Sequence, residues 1–299
     1  MKNKFIHIIT FFLFLFSNST FSQINVVTST TDLKSIVDAV GGDKVKTFSI
    51  ARGNQNIHSV EVLPSYIMKI TKARMYAKIG MGLDQWADPL IDGARNEDLL
   101  LLDCSKNIVK LDVPSFKVDA SHGDVHPYGN PHYWLDPNNG IIIAQDISKA
   151  LSKISPDDAP YFTQRFNEFK QHIESKLAGW NKDMAGHTGS KIVVYHDDWR
   201  YFAEAFGFDI VGFVEPKPGL EPTPSHLYKL TNLIRNENVK LIGFQPYFSD
   251  QAPNSLAGAS GAKALKLATS VGCVEGVVSY TDIFDYNLKA MIDAIKAGN

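Results

Sequence analysis

PDDAPYFTQRFNEFKQHIESKLAGWNKDMA, residues 156–185, is the stretch on which the fold turns. Tyr161, Phe162, Phe166, Phe169, Ile173, Leu177 and Trp180 recur in it at helical spacing, and no breaker interrupts them. About thirty residues of helix span roughly 45 Å at 1.5 Å per residue, enough to tie two lobes together as a stiff strut. A second helical pattern, Asn139 to Ile154, leads into it. The flanking regions read differently from this helical middle and like one another.

Upstream, Ile24 to Ser29 reads as a strand, and Thr31-Asp32 then opens an apolar-periodic helix that runs to Val40 and stops at Gly41-Gly42. Val45 to Ile50, Met75 to Ile79 and Leu99 to Asp103 read as further strands. Pro64 to Thr71 and Trp86 to Ile91 read as the helices between them. Downstream the alternation resumes, with strands over Lys191–Tyr195, Asp209–Val214, Lys240–Gly243 and Ala264–Leu267 and a closing helix from Thr281 to Lys296. The expected fold class is therefore α/β: two lobes, each with a parallel-type sheet flanked by helices, joined by one long rigid helix. The expected divisions are 1–22 for a signal peptide, 23–138 for an N-terminal lobe, 139–188 for the helical region with the linker, and 189–299 for a C-terminal lobe.

Lys2 and Lys4 ahead of the apolar run Phe5–Phe16, with small residues at Thr20 and Ser22, fit a leader cleaved before Gln23. No cysteine follows that run to carry a lipid, so periplasmic release is expected. The alternative is an uncleaved anchor. With 30 basic against 32 acidic residues, two of the lysines in the leader, neither nucleic acid nor an anionic membrane surface is an expected partner. Cys104 and Cys273 form no C-x-x-C pair and so define neither a thiolate metal site nor a redox motif; the compartment permits a disulfide between them.

Three histidines stand where ligands belong. His58 lies in the polar loop Gly53-Asn-Gln-Asn-Ile-His58, after a strand and before the helix opened by Pro64. His132 lies in Asn130-Pro-His-Tyr-Trp-Leu-Asp-Pro137, where two prolines and two aromatics fix the backbone around one imidazole. His196 ends the strand Lys191–Tyr195 and is followed by Asp197 and Asp198. Each also has an ordinary reading: a solvated loop residue, a ring packed on Trp134, a helix-start histidine on a carboxylate. Taken together, two before the strut and one after it would meet in a cleft between lobes, and three imidazoles suit zinc with one position left over. His122 and His126, on the polar loop 110–130, suggest a secondary capture site; His172, His187 and His226 carry no comparable context.

The motifs around these histidines resemble the cluster A-I metal-binding receptors of ABC transporters, the zinc and manganese solute-binding family. The likeness runs along essentially the whole mature chain. It is carried by Asn130–Pro137, by Val194-Tyr-His-Asp-Asp-Trp-Arg-Tyr-Phe202, and by Glu215-Pro-Lys-Pro-Gly219 with Pro222-Thr-Pro-Ser225; Gln55-Asn-Ile-His58 with Pro64-Ser65 is a looser match. The resemblance implies a metal held between the lobes by His58, His132 and His196. Zn2+ is favoured over Mn2+ or Fe2+, because manganese-selective relatives place a carboxylate where His196 stands. For the fourth ligand the family's aspartate is missing after Val271-Gly272, which leaves Glu275, Asp282 or water; Gln245 stands where relatives have a glutamate and is expected to support the site from behind.

The resemblance further implies a monomeric, non-enzymatic receptor that captures its ion without turnover and passes it to the membrane permease of an ABC importer. Affinity should fall as pH drops toward about 6.5, and a single stiff linker should allow only small lobe movements. The main alternative is an exported three-histidine zinc metallohydrolase, although the sequence has no H-E-x-x-H helix, second metal cluster or nucleophile elbow. A second is an adhesion or scaffold role in which metal is a structural plug.

Overall fold

The structure, a computed structural model, describes residues 23–115 and 126–297. The expected leader over 1–22 and His122 lie outside the described residues.

In the first lobe, β1 (Ile24–Thr28), β2 (Val45–Ser49), β3 (Met75–Lys78) and β4 (Leu100–Asp103) form one parallel sheet in the order β2-β1-β3-β4. Helices α1 (Thr31–Gly41), α2 (Pro64–Thr71) and α3 (Asp88–Ala94) connect them. The starts and stops have local causes: the Thr30 hydroxyl accepts from Leu33 N to cap α1, and Pro64 opens α2, where its missing N–H costs nothing.

Helices α4 (Pro137–Ile154) and α5 (Ala159–Met184) follow. The strut is shorter than its sequence suggests, because Pro156–Asp158 make a separate 3-10 turn; its 26 residues reach about 39 Å. Near its start, Arg165 Nε donates to Ala39 O at 2.9 Å and Tyr161 Oη to Asp43 at 2.6 Å, gripping the first lobe.

The second lobe repeats the plan of the first. Strands β5 (Lys191–Val194), β6 (Asp209–Phe213), β7 (Leu241–Phe244) and β8 (Lys263–Lys266) are parallel in the order β6-β5-β7-β8, accompanied by α6 (Arg200–Phe206), α7 (Pro224–Asn236), α8 (Gln251–Ser260) and the closing α9 (Tyr280–Ala297). The far end of α5 is held here, with Trp180 Nε1 and Lys176 Nζ donating to the Asp285 carboxylate on α9 at 2.8 and 2.6 Å. In each lobe the chain moves outward from its first strand and then crosses back to the other side. Such a switch point opens a crevice at the carboxyl ends of the strands, where open α/β sheets place ligands.

The lobes are not separate bodies on a stalk. A single apolar cluster takes in Val26 and Tyr76 from the first sheet, Ile192 and Leu241 from the second, and Trp134, Phe162, Trp199 and Phe284 between them. A smaller one, including Val193, Ile242, Leu230 and Leu256, fills the outer face of the second lobe. Polar ties cross the seam as well. Trp134 Nε1 donates to Thr269 O at 2.9 Å, Thr31 Oγ1 to Val271 O at 2.8 Å, and Val271 N to Asp32 Oδ1 at 2.9 Å. Burial at this seam raises the Asp32 pKa to about 7, partly offset by the Val271 N–H. Cys104 and Cys273 are both buried and unpaired.

Candidate metal centre

The loop after β2 carries His58 and is pinned on two sides. Trp86 Nε1 donates to Ile57 O at 3.0 Å, and His58 N donates to Asn56 Oδ1 at 3.0 Å. Gly53 lets the same loop lie against the second lobe: a Cβ there would sit 2.0 Å from Val271 O, so only glycine fits. His58 itself is half-buried.

His132 stands not at a strand end but on the turn leading into α4. Its neighbours fix it. Tyr133 Oη donates to Ile79 O at 2.7 Å, Trp134 reaches across to Thr269, and the Asp136 side chain accepts from Asn138 N to cap α4. The imidazole is 3% exposed, with its Nδ1 2.9 Å from Asn130 Oδ1. His196, 4% exposed, directly follows β5 and its backing residue Tyr195; its Nδ1 lies 2.8 Å from Glu215 Oε2. The helix beyond it starts only at Arg200, so residues 195–199 are a turn that presents the ring.

These three side chains converge. His58, His132 and His196 each offer a ring nitrogen, and the three nitrogens lie within 4.8 Å of one another. His58 Nε2 and His132 Nε2 are 3.0 Å apart, near the separation that two Zn–N bonds of about 2.0–2.1 Å produce in a tetrahedron. The ring centroids of His58 and His196 are 4.9 Å apart and those of His132 and His196 5.7 Å apart, so a modest contraction brings all three onto one ion. The cleft beside His132 and His196, also walled by Asp112, His126, Asn130 and Pro218, has a volume of about 60 Å³.

The electrostatics divide the three rings. Burial holds His132 and His58 well below the ordinary histidine pKa, and neighbouring imidazoles add to the effect. His196 is shifted the other way. Burial pulls it down, but the hydrogen bond to Glu215 and the charges of Asp198, Glu215 and Asp197 together outweigh that. Behind it, Gln245 Nε2 donates to the buried Asp198 carboxylate, whose pKa burial lifts to about 7. Gln245 thus bonds to Asp198, the carboxylate whose charge acts on His196. Asp197 pairs with Arg200 at 2.6 Å, and its backbone carbonyl accepts from Asn130 Nδ2 at 2.7 Å across the two halves.

Glu275 is not brought to the histidines. It is exposed, on a turn closed by Gly272 N donating to Val277 O at 2.7 Å, with Gly272 and Gly276 at positive φ. Asp282, the other carboxylate considered, is used in starting α9, accepting from Ser279 N at 2.6 Å and Val278 N at 3.0 Å. His126 does approach the site: its Nε2 is 3.3 Å from His58 Nδ1, and burial, with the charge on His196, lowers its pKa to about 4. His172, His187 and His226 stand elsewhere; His226 Nε2 bonds to Phe213 O at 3.0 Å. The orienting roles of Asn130 and Glu215 were not read from the sequence. The only signal was their place inside the Asn130–Pro137 and Glu215–Gly219 motifs.

Comparison with known proteins agrees with this architecture. A family model described as zinc-uptake complex component A periplasmic (ZnuA) matches residues 26–294. The manganese-binding lipoprotein MntA of Halalkalibacterium halodurans is 22% identical over 283 residues, covering 91% of this chain and 88% of its own length. The manganese ABC transporter substrate-binding lipoprotein PsaA of Streptococcus pneumoniae is 25% identical over 227 residues, covering 73% and 70% respectively. A crystal structure of ZnuA shares the fold with a TM-score of 0.77 at 22% identity, covering 92% of this chain and 98% of that one.

Proposed function

The chain belongs to the zinc-uptake complex component A (ZnuA) family, and from that premise we propose that it is an extracytoplasmic receptor that captures a divalent transition metal, zinc, for the permease of an ABC importer. The observation that carries this reading is the convergence of three imidazole nitrogens, from both halves of the chain, within 4.8 Å of one another. We assign His58, His132 and His196 as ligands and leave the fourth position to water.

The cargo's chemistry follows from the donors. Three neutral imidazoles suit a borderline cation such as Zn2+ better than Mn2+, which favours oxygen. Glu215 does not alter this preference, because its carboxylate is engaged by His196 Nδ1 and by Gly219 N at 3.0 Å. Two relatives are named for manganese, so the zinc assignment rests on the donor set of this chain.

Capture without turnover fits the cleft. A volume of about 60 Å³ takes an ion and a few waters, whereas pockets for organic substrates run to roughly 300–1,000 Å³. The hydrolase alternative therefore gains no support from the site. The same two relatives are lipoproteins by name. Phe21-Ser22-Gln23-Ile24, around the expected cleavage point, has no cysteine to carry a lipid, which supports our placing the mature chain in the periplasm.

The test is metal analysis with competition titration on the purified protein and on His58→Ala, His132→Ala and His196→Ala. One zinc per chain is expected, with each substitution costing more than the ~10–100-fold typical of losing an outer partner of a ligand. Unchanged zinc binding in all three variants would remove the assignment.

A further inference from the structure

The hydrogen bonds of the centre fix which nitrogen of each imidazole carries the proton. Asn130 Nδ2 donates to Asp197 O at 2.7 Å, and a carbonyl can only accept, so Asn130 Oδ1 must be the atom facing His132. It accepts from His132 N at 3.1 Å and lies 2.9 Å from His132 Nδ1, which therefore bears the proton. Neutral His132 then has its lone pair on Nε2. His58 Nε2 stands 3.0 Å from that lone pair and must be the donor, which leaves His58 Nδ1 without a proton. His126 Nε2, 3.3 Å away, donates to it. The chain of bonds has one polarity: His126 to His58 to His132 to Asn130 to the Asp197 carbonyl.

The tautomers set His58 apart from the other two proposed ligands. His132 and His196 each carry a proton on Nδ1, held by Asn130 and Glu215, so Nε2 is the nitrogen each has left to meet the ion. His58 is in the opposite tautomer, with a proton on the nitrogen that must meet the ion. We propose that metal capture reverses the His58–His126 bond, and that His126 is the positioning residue for His58 in the loaded site. This rests on the metal-receptor reading above. His58 gives up the proton on Nε2 and takes one on Nδ1; His126 gives up the one on Nε2 and takes one on Nδ1. The exchange runs through water in the open cleft, and the pair neither gains nor loses a proton.

His126 then does for His58 what Asn130 does for His132 and Glu215 for His196: it accepts the Nδ1 proton and fixes the ring. It is not itself a ligand, since it stands outside the group of nitrogens that lie within 4.8 Å of one another. Such outer partners orient the ligating ring and raise its basicity, and losing one typically costs about 10–100-fold in affinity.

The experiment combines nitrogen NMR on the purified protein carrying 15N-labelled histidine with zinc titrations and cobalt absorption spectra of His126→Gln and His126→Leu. His58 is expected to hold its proton on Nε2 without metal and on Nδ1 with zinc, while His132 and His196 hold theirs on Nδ1 throughout. His126→Leu should weaken zinc about 10–100-fold; His126→Gln, whose Oε1 can accept the same proton, should recover most of it. Both should keep the cobalt spectrum of the wild type, because the ligands are unchanged. A His58 proton on Nδ1 in both states, or wild-type zinc affinity in His126→Leu, would overturn the proposal. An altered cobalt spectrum in His126→Gln would also overturn it, by making His126 a ligand. Failure of the receptor reading shows separately, as wild-type zinc binding in all three of His58→Ala, His132→Ala and His196→Ala.

Discussion

The two lobes share one strand order and yet bring opposite electrostatics to the centre. The region before the strut contributes His58 and His132, both held neutral by burial and buttressed by uncharged groups, an imidazole and an amide. The second lobe contributes His196, which hydrogen-bonds a buried carboxylate and is shifted upward. On the proposed ligand assignment, one half supplies imidazoles that burial keeps neutral, and the other supplies the one whose pKa is raised. A repeated topology fixes where ligands can stand; the side chains behind them decide what each ligand does.

The strongest way to break this comparison is Glu215→Gln. Removing the carboxylate should weaken zinc about 10–100-fold at pH 8, as loss of an outer partner does. It should also move the acid loss of binding to lower pH, because His196 loses its main upward influence. Asn130→Ala in the first half should weaken zinc without moving that midpoint. Competition titrations across pH separate the two, and an equal shift in both variants would abolish the asymmetry.

The next effect is the pH slope of the wild-type protein. His196 has a raised pKa, so its protonated form competes with metal as pH falls through that value. His58 and His132 are already neutral there. Affinity should therefore fall about tenfold per pH unit, the signature of one proton, on the acid side of the His196 midpoint. A slope corresponding to two or three protons would show that the first half titrates as well.

The smallest expected effect is structural. Because one apolar core runs through both lobes and α5 grips each of them, zinc removal should change small-angle scattering very little. A marked expansion on metal loss would show that the halves move independently and that the seam at Asp32 and Val271 opens.

Much of this was legible in the sequence because it is local. Apolar runs such as Lys191–Val194, proline at Pro64 and the aromatic periodicity from Tyr161 to Trp180 set the elements through backbone and packing preferences that act within a few residues. Helices α7 and α8 escaped, although Thr223 ahead of Pro224 carries a capping signal for the first. The prolines and aromatics around His132 and the strand before His196 marked both as candidate ligand positions. What tertiary structure alone decided is which atoms meet. Gly53 lying against Val271, Asn130 bridging to Asp197 and Glu215 reaching His196 join residues distant in the chain, and hydrogen bonds form only where folding brings donor to acceptor. The same holds for Glu275. Its position after Val271-Gly272 suggested a ligand, but the fold leaves it exposed and outside the group of converging ring nitrogens, which the residue's identity does not encode.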